Sequence, residues 1–137
     1  MDKTVIAIII AIILVGGLFW VWQLGVFTKT SVQVAPLPQG IVLFYGDGCP
    51  HCKNVEDFIT QNKIEDKVKF TRLEIPFNGR TSKQLAANAD LAVQVAEKCK
   101  LDVSNGLIIP LLYDGNNQCL TGDVDTINFF KNAAGIQ

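Results

Sequence analysis

Hydrophobic and polar positions divide the chain into one uninterrupted apolar run and a patterned remainder. From Thr4 to Thr28 no residue is charged, and Gln23 is the one strongly polar side chain inside TVIAIIIAIILVGGLFWVWQLGVF. About 20 such residues in a helix rise roughly 30 Å, the thickness of a bilayer's hydrocarbon core. Trp20 and Trp22 near one end suit the membrane–water boundary, and the run predicts an N-terminal transmembrane helix within residues 1–28. A cleavable signal peptide would have a shorter apolar core and a small-residue cleavage site; here the best cleavage candidate, Ala35, is followed by Pro36. Lys3 precedes the run and Lys29 follows it, so flanking charge barely orients it. A very short tail ahead of an anchoring helix favours placing everything after it outside the cytoplasm. Residues 29–39 carry Pro36 and Pro38 and read as a semi-stiff tether.

The rest, residues 40–137, alternates between strand and helix signals. Ile41–Tyr45 (IVLFY) is a short β-rich apolar run of the kind found in buried central strands, and Gly46-Asp47-Gly48 breaks it. Cys49 to Asn62 has Val55, Phe58 and Ile59 at helical spacing, and Val68–Ile75 predicts a second strand. Pro76-Phe77-Asn78-Gly79 is turn chemistry. Thr81 and Gln84 then form a candidate capping box before a long helix whose apolar stripe is Leu85, Ala89, Ala92, Val93, Ala96 and Cys99. Leu107–Tyr113 predicts a third strand and Asp114-Gly115-Asn116-Asn117 a hairpin turn, with a fourth strand beginning at Gln118–Leu120. A last helix is expected from Gly122-Asp123, with Asp123 as N-cap and Val124, Ile127 and Phe130 facing inward. The predicted order is β-α-β-α-β-β-α, which implies an α/β fold with a four-stranded mixed sheet and helices on both faces.

Composition adds little to this picture. The 137 residues carry 12 basic and 13 acidic side chains, a formal net charge of −1, and so no basic footprint for nucleic acid. An apolar share of 49% beside 18% charged residues is explained by the N-terminal run.

The candidate chemistry lies in Cys49-Pro50-His51-Cys52, where a strand ends and a helix begins. A cysteine at a helix N-terminus meets free backbone N–H groups and the positive end of the dipole, which favour a thiolate; a protonated His51 adds a positive charge nearby. Cys52, one turn further in, is within reach of a mixed disulfide formed at Cys49. Pro50 falls in the first helical turn, where its missing N–H costs nothing. Ile109-Pro110 sits at a predicted strand, where proline removes a ladder hydrogen bond; a cis peptide there would resolve the conflict and leave the Ile109 backbone free to pair with an extended substrate. Other interpretations compete for each of these residues. The C-x-x-C pair could be half of a zinc or copper site completed by Cys99 and Cys119, or it could be an inert structural disulfide. His51, the one histidine, could be an ordinary solvated side chain. Cys99 and Cys119 could be two small buried residues, or a structural disulfide in an oxidising compartment.

This order of elements, CPHC after the first strand and Pro110 before the hairpin resemble the thioredoxin superfamily over nearly everything after the tether. The segment IIPLLYDGNNQCLTGDVDTINFF is similar to the C-terminal half of glutaredoxin- and thioredoxin-like domains, and the CPHC tetrapeptide resembles that of bacterial periplasmic disulfide-forming oxidases. The resemblance implies Cys49 as attacking cysteine, Cys52 as resolving cysteine and Pro110 as a cis-proline opposite them. Gly48 stands where thioredoxins usually carry tryptophan, and Leu43 where they carry a buried acid. The stretch between Cys52 and Thr81 is too short for the helical insertion of the periplasmic oxidases, and glutathione-binding residues are not reproduced around Gly122 and Asp123. The expectation is a membrane-anchored thiol–disulfide oxidase or isomerase of protein thiols, with no cofactor and no metal, its domain on the extracytoplasmic side. A quinone-linked membrane protein would re-oxidise it. A membrane-anchored thiol reductase or glutaredoxin-like protein is the alternative within this chemistry, and a tethered metal-binding module the alternative outside it.

Overall fold

The computed structural model describes residues 36–136. The predicted span and most of the tether lie outside the described residues; among those described, no helix is long and apolar enough to cross a membrane.

The domain is a mixed α/β fold. Its strands are β1 (Ile41–Tyr45), β2 (Phe70–Glu74), β3 (Leu111–Tyr113) and β4 (Cys119–Thr121), and its helices are α1 (Pro50–Gln61), α2 (Lys83–Lys98) and α3 (Asp123–Ala134). A single 3₁₀ turn at Ile64–Asp66 joins α1 to β2. The four strands form one sheet in the order β2-β1-β3-β4, with β1 parallel to β2 and antiparallel to β3, and β3 antiparallel to β4.

β1 is central because it is apolar on both faces. Successive side chains of a strand point to opposite sides, and each side here finds its own core. Val42 and Phe44 pack with Ala92, Val95 and Ala96 of α2 and with Leu111 and Tyr113. Leu43 packs with Val55 and Ile59 of α1, Phe130 of α3 and Leu112. Each fully buried Leu, Ile or Phe of this kind contributes about 1.5–3 kcal/mol relative to exposure. The edge strand β2 is more polar: Arg72 reaches Glu56 of α1 at 2.6 Å and Glu65 at 3.3 Å, and lies over the ring of Tyr45.

Several expected boundaries move for identifiable reasons. Val68 does not enter β2, because its N–H is spent on the Ile64 carbonyl (2.8 Å) in the 3₁₀ turn. The third strand begins at Leu111 rather than Leu107, immediately after Pro110, which has no N–H to give a ladder. The cap of α2 is Ser82, not Thr81: the Ser82 hydroxyl accepts from the Leu85 N–H at 3.2 Å, and Gln84 bonds forward to Asn88 instead of back to the cap. Val95 joins Ala92 and Ala96 as the fully buried positions of α2, while Val93, Leu85, Ala89 and Cys99 are half-buried. Asp123 is the first residue of α3, and Gly122 holds the cap position with φ 84°. This turns Val124 outward to 67% exposure, and the buried place is taken by Thr126, whose hydroxyl donates to the Gly122 carbonyl at 2.7 Å.

The β3–β4 turn is held by Asp114, whose carboxylate accepts from the N–H groups of Asn116 (2.8 Å) and Gln118 (3.0 Å). Cys99, at the end of α2, is disulfide-bonded to Cys119 on β4. The bond ties the outer edge of the sheet to the helix that covers one face.

Candidate active site

The turn between β1 and α1 builds the site. Cys49 takes the N-cap position of α1 with extended backbone (φ −78°, ψ 120°), and Pro50 follows at the first helical position. The Cys49 N–H donates to the Gly46 carbonyl at 3.2 Å. The Cys49 sulfur accepts the Cys52 N–H at 3.4 Å, so it sits where a cap side chain normally satisfies a free helical donor. Negative charge is favoured at this end of a helix.

Cys49 and Cys52 are free thiols, exposed by only 5% and 2%. Burial, reinforced by the hydrogen bond to Cys49, pushes the Cys52 thiol up to about 12 from an ordinary 9.0. Cys52 therefore stays protonated through neutral pH and keeps the inner position as a neutral group. The folded state holds this proton more tightly than the unfolded chain does. Its contribution to stability is complete below pH 9 and is lost as pH rises toward 12. Urea titrations should accordingly show the dithiol form losing stability faster than the disulfide form between these limits; equal slopes would contradict a buried neutral Cys52.

Three separate stretches meet at Gly46. A side chain there would have its Cβ 2.6 Å from the Cβ of Phe77 and 2.9 Å from Cδ1 of Ile109. Glycine thus lets the Phe77 turn and the Ile109-Pro110 segment close on the first turn of the site. The Ile109–Pro110 bond is cis, and the Pro110 carbonyl accepts from the Gly122 N–H at 2.9 Å, which brings the start of α3 alongside. Arg80 pairs with Asp47 and lies 3.5 Å from Glu74, tying the Phe77 turn to the loop ahead of Cys49. A shallow cleft of about 380 Å³ beside Cys49 is lined by residues 46–50, Lys53 and Glu56.

Sequence reasoning missed two residues of this neighbourhood. Asp123 accepts from Asn54 Nδ2 at 2.6 Å and lies 3.2 Å from His51 Nδ1, all on one carboxylate oxygen, Oδ2. The Asn54 hydrogen bond first, and His51 second, hold the Asp123 carboxyl below its ordinary range. No local signal marks this contact, because Asn54 and Asp123 lie 69 positions apart. Helix-start patterning assigned Asp123 to capping, whereas the cap is Gly122.

The structure places Cys49, Pro50, His51 and Cys52 at the start of α1 and sets Ile109 against Gly46 just ahead of them, with Pro110 next in the chain, while Cys99 and Cys119 are engaged with each other as a bonded pair. Two thiols that a metal site would have borrowed are thereby engaged with each other. Among the described residues, no cluster of three or more His, Cys, Asp or Glu side chains is arranged to hold a metal ion. Comparison with family models, with curated proteins and with solved structures finds no match to this chain.

Proposed function

We propose that the chain is a membrane-anchored thiol–disulfide oxidoreductase of the thioredoxin-like class, acting on protein thiols through Cys49 and Cys52. The observation that carries the reading is the asymmetry of the two sulfurs. Cys49 caps a helix and accepts a backbone N–H, while Cys52 is buried one turn further in with a thiol pushed up to about 12. The β-α-β-α-β-β-α order, the strand order β2-β1-β3-β4 and the cis bond ahead of β3 support the class.

In the oxidising direction, a client thiolate attacks the Cys49 sulfur of the Cys49–Cys52 disulfide. The sulfur–sulfur bond breaks, Cys52 leaves as a thiolate and takes up a proton, and the client is held as a mixed disulfide on Cys49. A second client thiolate then attacks the client sulfur of that bond and releases Cys49 as a thiolate at the helix N-terminus. Two electrons have passed to the protein, and a membrane redox partner removes them. The bonded Cys99–Cys119 pair supports an oxidising compartment, consistent with an extracytoplasmic domain held by the apolar N-terminal run.

The reduction potential of the Cys49–Cys52 pair tests the direction. A value near about −120 mV fits an oxidase, and one near about −270 mV assigns the pair to a reductase instead. A pair that does not exchange with glutathione or with a dithiol peptide at all sinks the functional reading.

Two exposed apolar side chains support polypeptide clients. Ile108 is 61% exposed one residue before Ile109, and Val124 is 67% exposed one residue after Asp123. Ile108 also lines an apolar recess with Leu101, Val103 and Leu107. An Ile108→Ser, Val124→Ser double variant is expected to raise KM for a dithiol polypeptide by about tenfold, the equivalent of one to two lost apolar contacts. Its exchange with glutathione should stay unchanged. Equal effects on both reactants would remove these side chains from client binding.

A further inference from the structure

We propose that Asp123 is a positioning residue for His51, and that this pairing moderates the oxidising power of the Cys49–Cys52 pair; the inference rests on the thiol–disulfide reading and names a control of that same site. Asp123 opens α3, and its side chain is only 19% exposed, although His51 is 69% exposed. One oxygen accepts from Asn54 Nδ2 and lies 3.2 Å from His51 Nδ1, so an amide on the third residue after His51 braces the carboxylate that faces the imidazole. The contact links the first turns of two helices that pack on the same side of the sheet. Both turns direct their free N–H groups and positive dipole ends into this region.

The charge bookkeeping follows from these positions. A protonated imidazole beside Cys49 favours the thiolate of the reduced pair and so favours oxidation of clients. With a carboxylate at 3.2 Å, that positive charge is compensated and its field at the sulfur weakens. The other ionised groups on these turns are committed or outward: Lys53 pairs with Asp57, Glu56 pairs with Arg72, and Asp125 is exposed. Asp123 is thus the partner that sets how much of the His51 charge reaches Cys49.

The test uses the full chain in detergent at pH 5.5, on the acid side of the ordinary imidazole range. The equilibrium constant with glutathione is measured for the parent protein, Asp123→Asn, His51→Ala and the double variant. Asparagine and serine are both small polar residues that fit the first helical turn, so Asp123→Ser replaces any Asp123→Asn preparation lacking the parent circular dichroism. The expected result is a shift of about tenfold toward the reduced protein in Asp123→Asn, equivalent to about 30 mV, and a shift under about twofold (roughly 9 mV) in the His51→Ala background. An unchanged constant overturns the proposal, as does a shift of equal size without His51, which would make Asp123 act on the sulfur directly. Nitrogen-15 spectra of the imidazole give an independent readout: Nδ1 should be the hydrogen-bonded nitrogen in the parent and lose that signature in Asp123→Ala. If the parent pair does not exchange with glutathione, the oxidoreductase reading falls, and the same spectra decide whether the His51–Asp123 contact exists.

Discussion

Cys52→Ser is expected to accumulate a long-lived mixed disulfide between Cys49 and a client, whereas Cys49→Ser should exchange at the uncatalysed rate and trap nothing. The difference follows from position. Cys49 lies at the helix start, its sulfur already accepting a backbone N–H, and it lines the open cleft. Cys52 is 2% exposed and protonated across the neutral range, so a bulky client cannot use it as the point of entry. Without Cys52, nothing within one helical turn resolves the intermediate, and the trapped species persists until an external thiol arrives. Alkylation of Cys49 in the dithiol protein should likewise outrun that of Cys52 by a wide margin, on the order of 100-fold, because the thiolate is the reactive form. Non-reducing electrophoresis after mixing with a disulfide-bonded polypeptide, whose S–S bond the Cys49 thiolate attacks with release of the client's other sulfur as a thiolate, reads the first outcome, and mass spectrometry reads the second. A mixed disulfide on Cys52 in the Cys49→Ser variant would reverse the assignment.

A Cys99→Ala, Cys119→Ala double variant is expected to lose about 3 kcal/mol of stability, the amount that cross-linking a loop of this size removes from the unfolded ensemble. The two cysteines are 20 positions apart. In a domain of about 100 residues, that loss lowers Tm by roughly 12–24 °C. The measurement is thermal unfolding of the variant against the parent, both with the Cys49–Cys52 pair reduced by a mild dithiol that leaves the structural bond intact. A shift under a few degrees would mean that the bond contributes little beyond the packing of α2 on the sheet. The redox potential of Cys49–Cys52 should not move, because the bonded pair lies at the edge strand β4 and packs in the core on one face of the sheet, whereas α1 packs in the other.

How much of this was legible beforehand depends on whether a residue's role is local. IVLFY declares a central strand because no polar position interrupts it, and β1 spans those same five residues. The helix after Cys49 and the Asp114 turn are equally local. Strand limits were harder, since side-chain pattern says nothing about where a backbone N–H is spent: Val68 is apolar and buried yet bonded into a 3₁₀ turn. Thr81 and Ser82 are both good caps, and only the geometry of the Leu85 N–H distinguishes them. The pairing of Cys99 with Cys119 could be raised from residue type but needed the fold to bring α2 against β4. The contact of Asp123 with Asn54 and His51 was illegible for a stronger reason. It depends on where Gly122 ends the sheet and on the relative placement of two helices, neither of which leaves a spacing rule in the chain.

Both margins of the sheet are poor templates for another chain. On one side β2 carries Arg72, engaged by two glutamates; on the other, β4 is only three residues long and is cross-linked at Cys119. Short, charged or fastened borders suppress strand-by-strand association between neighbouring molecules. Under the proposed membrane-anchored oxidoreductase function, such borders would keep copies crowded in a plane apart and reserve backbone pairing for a polypeptide client at Ile109.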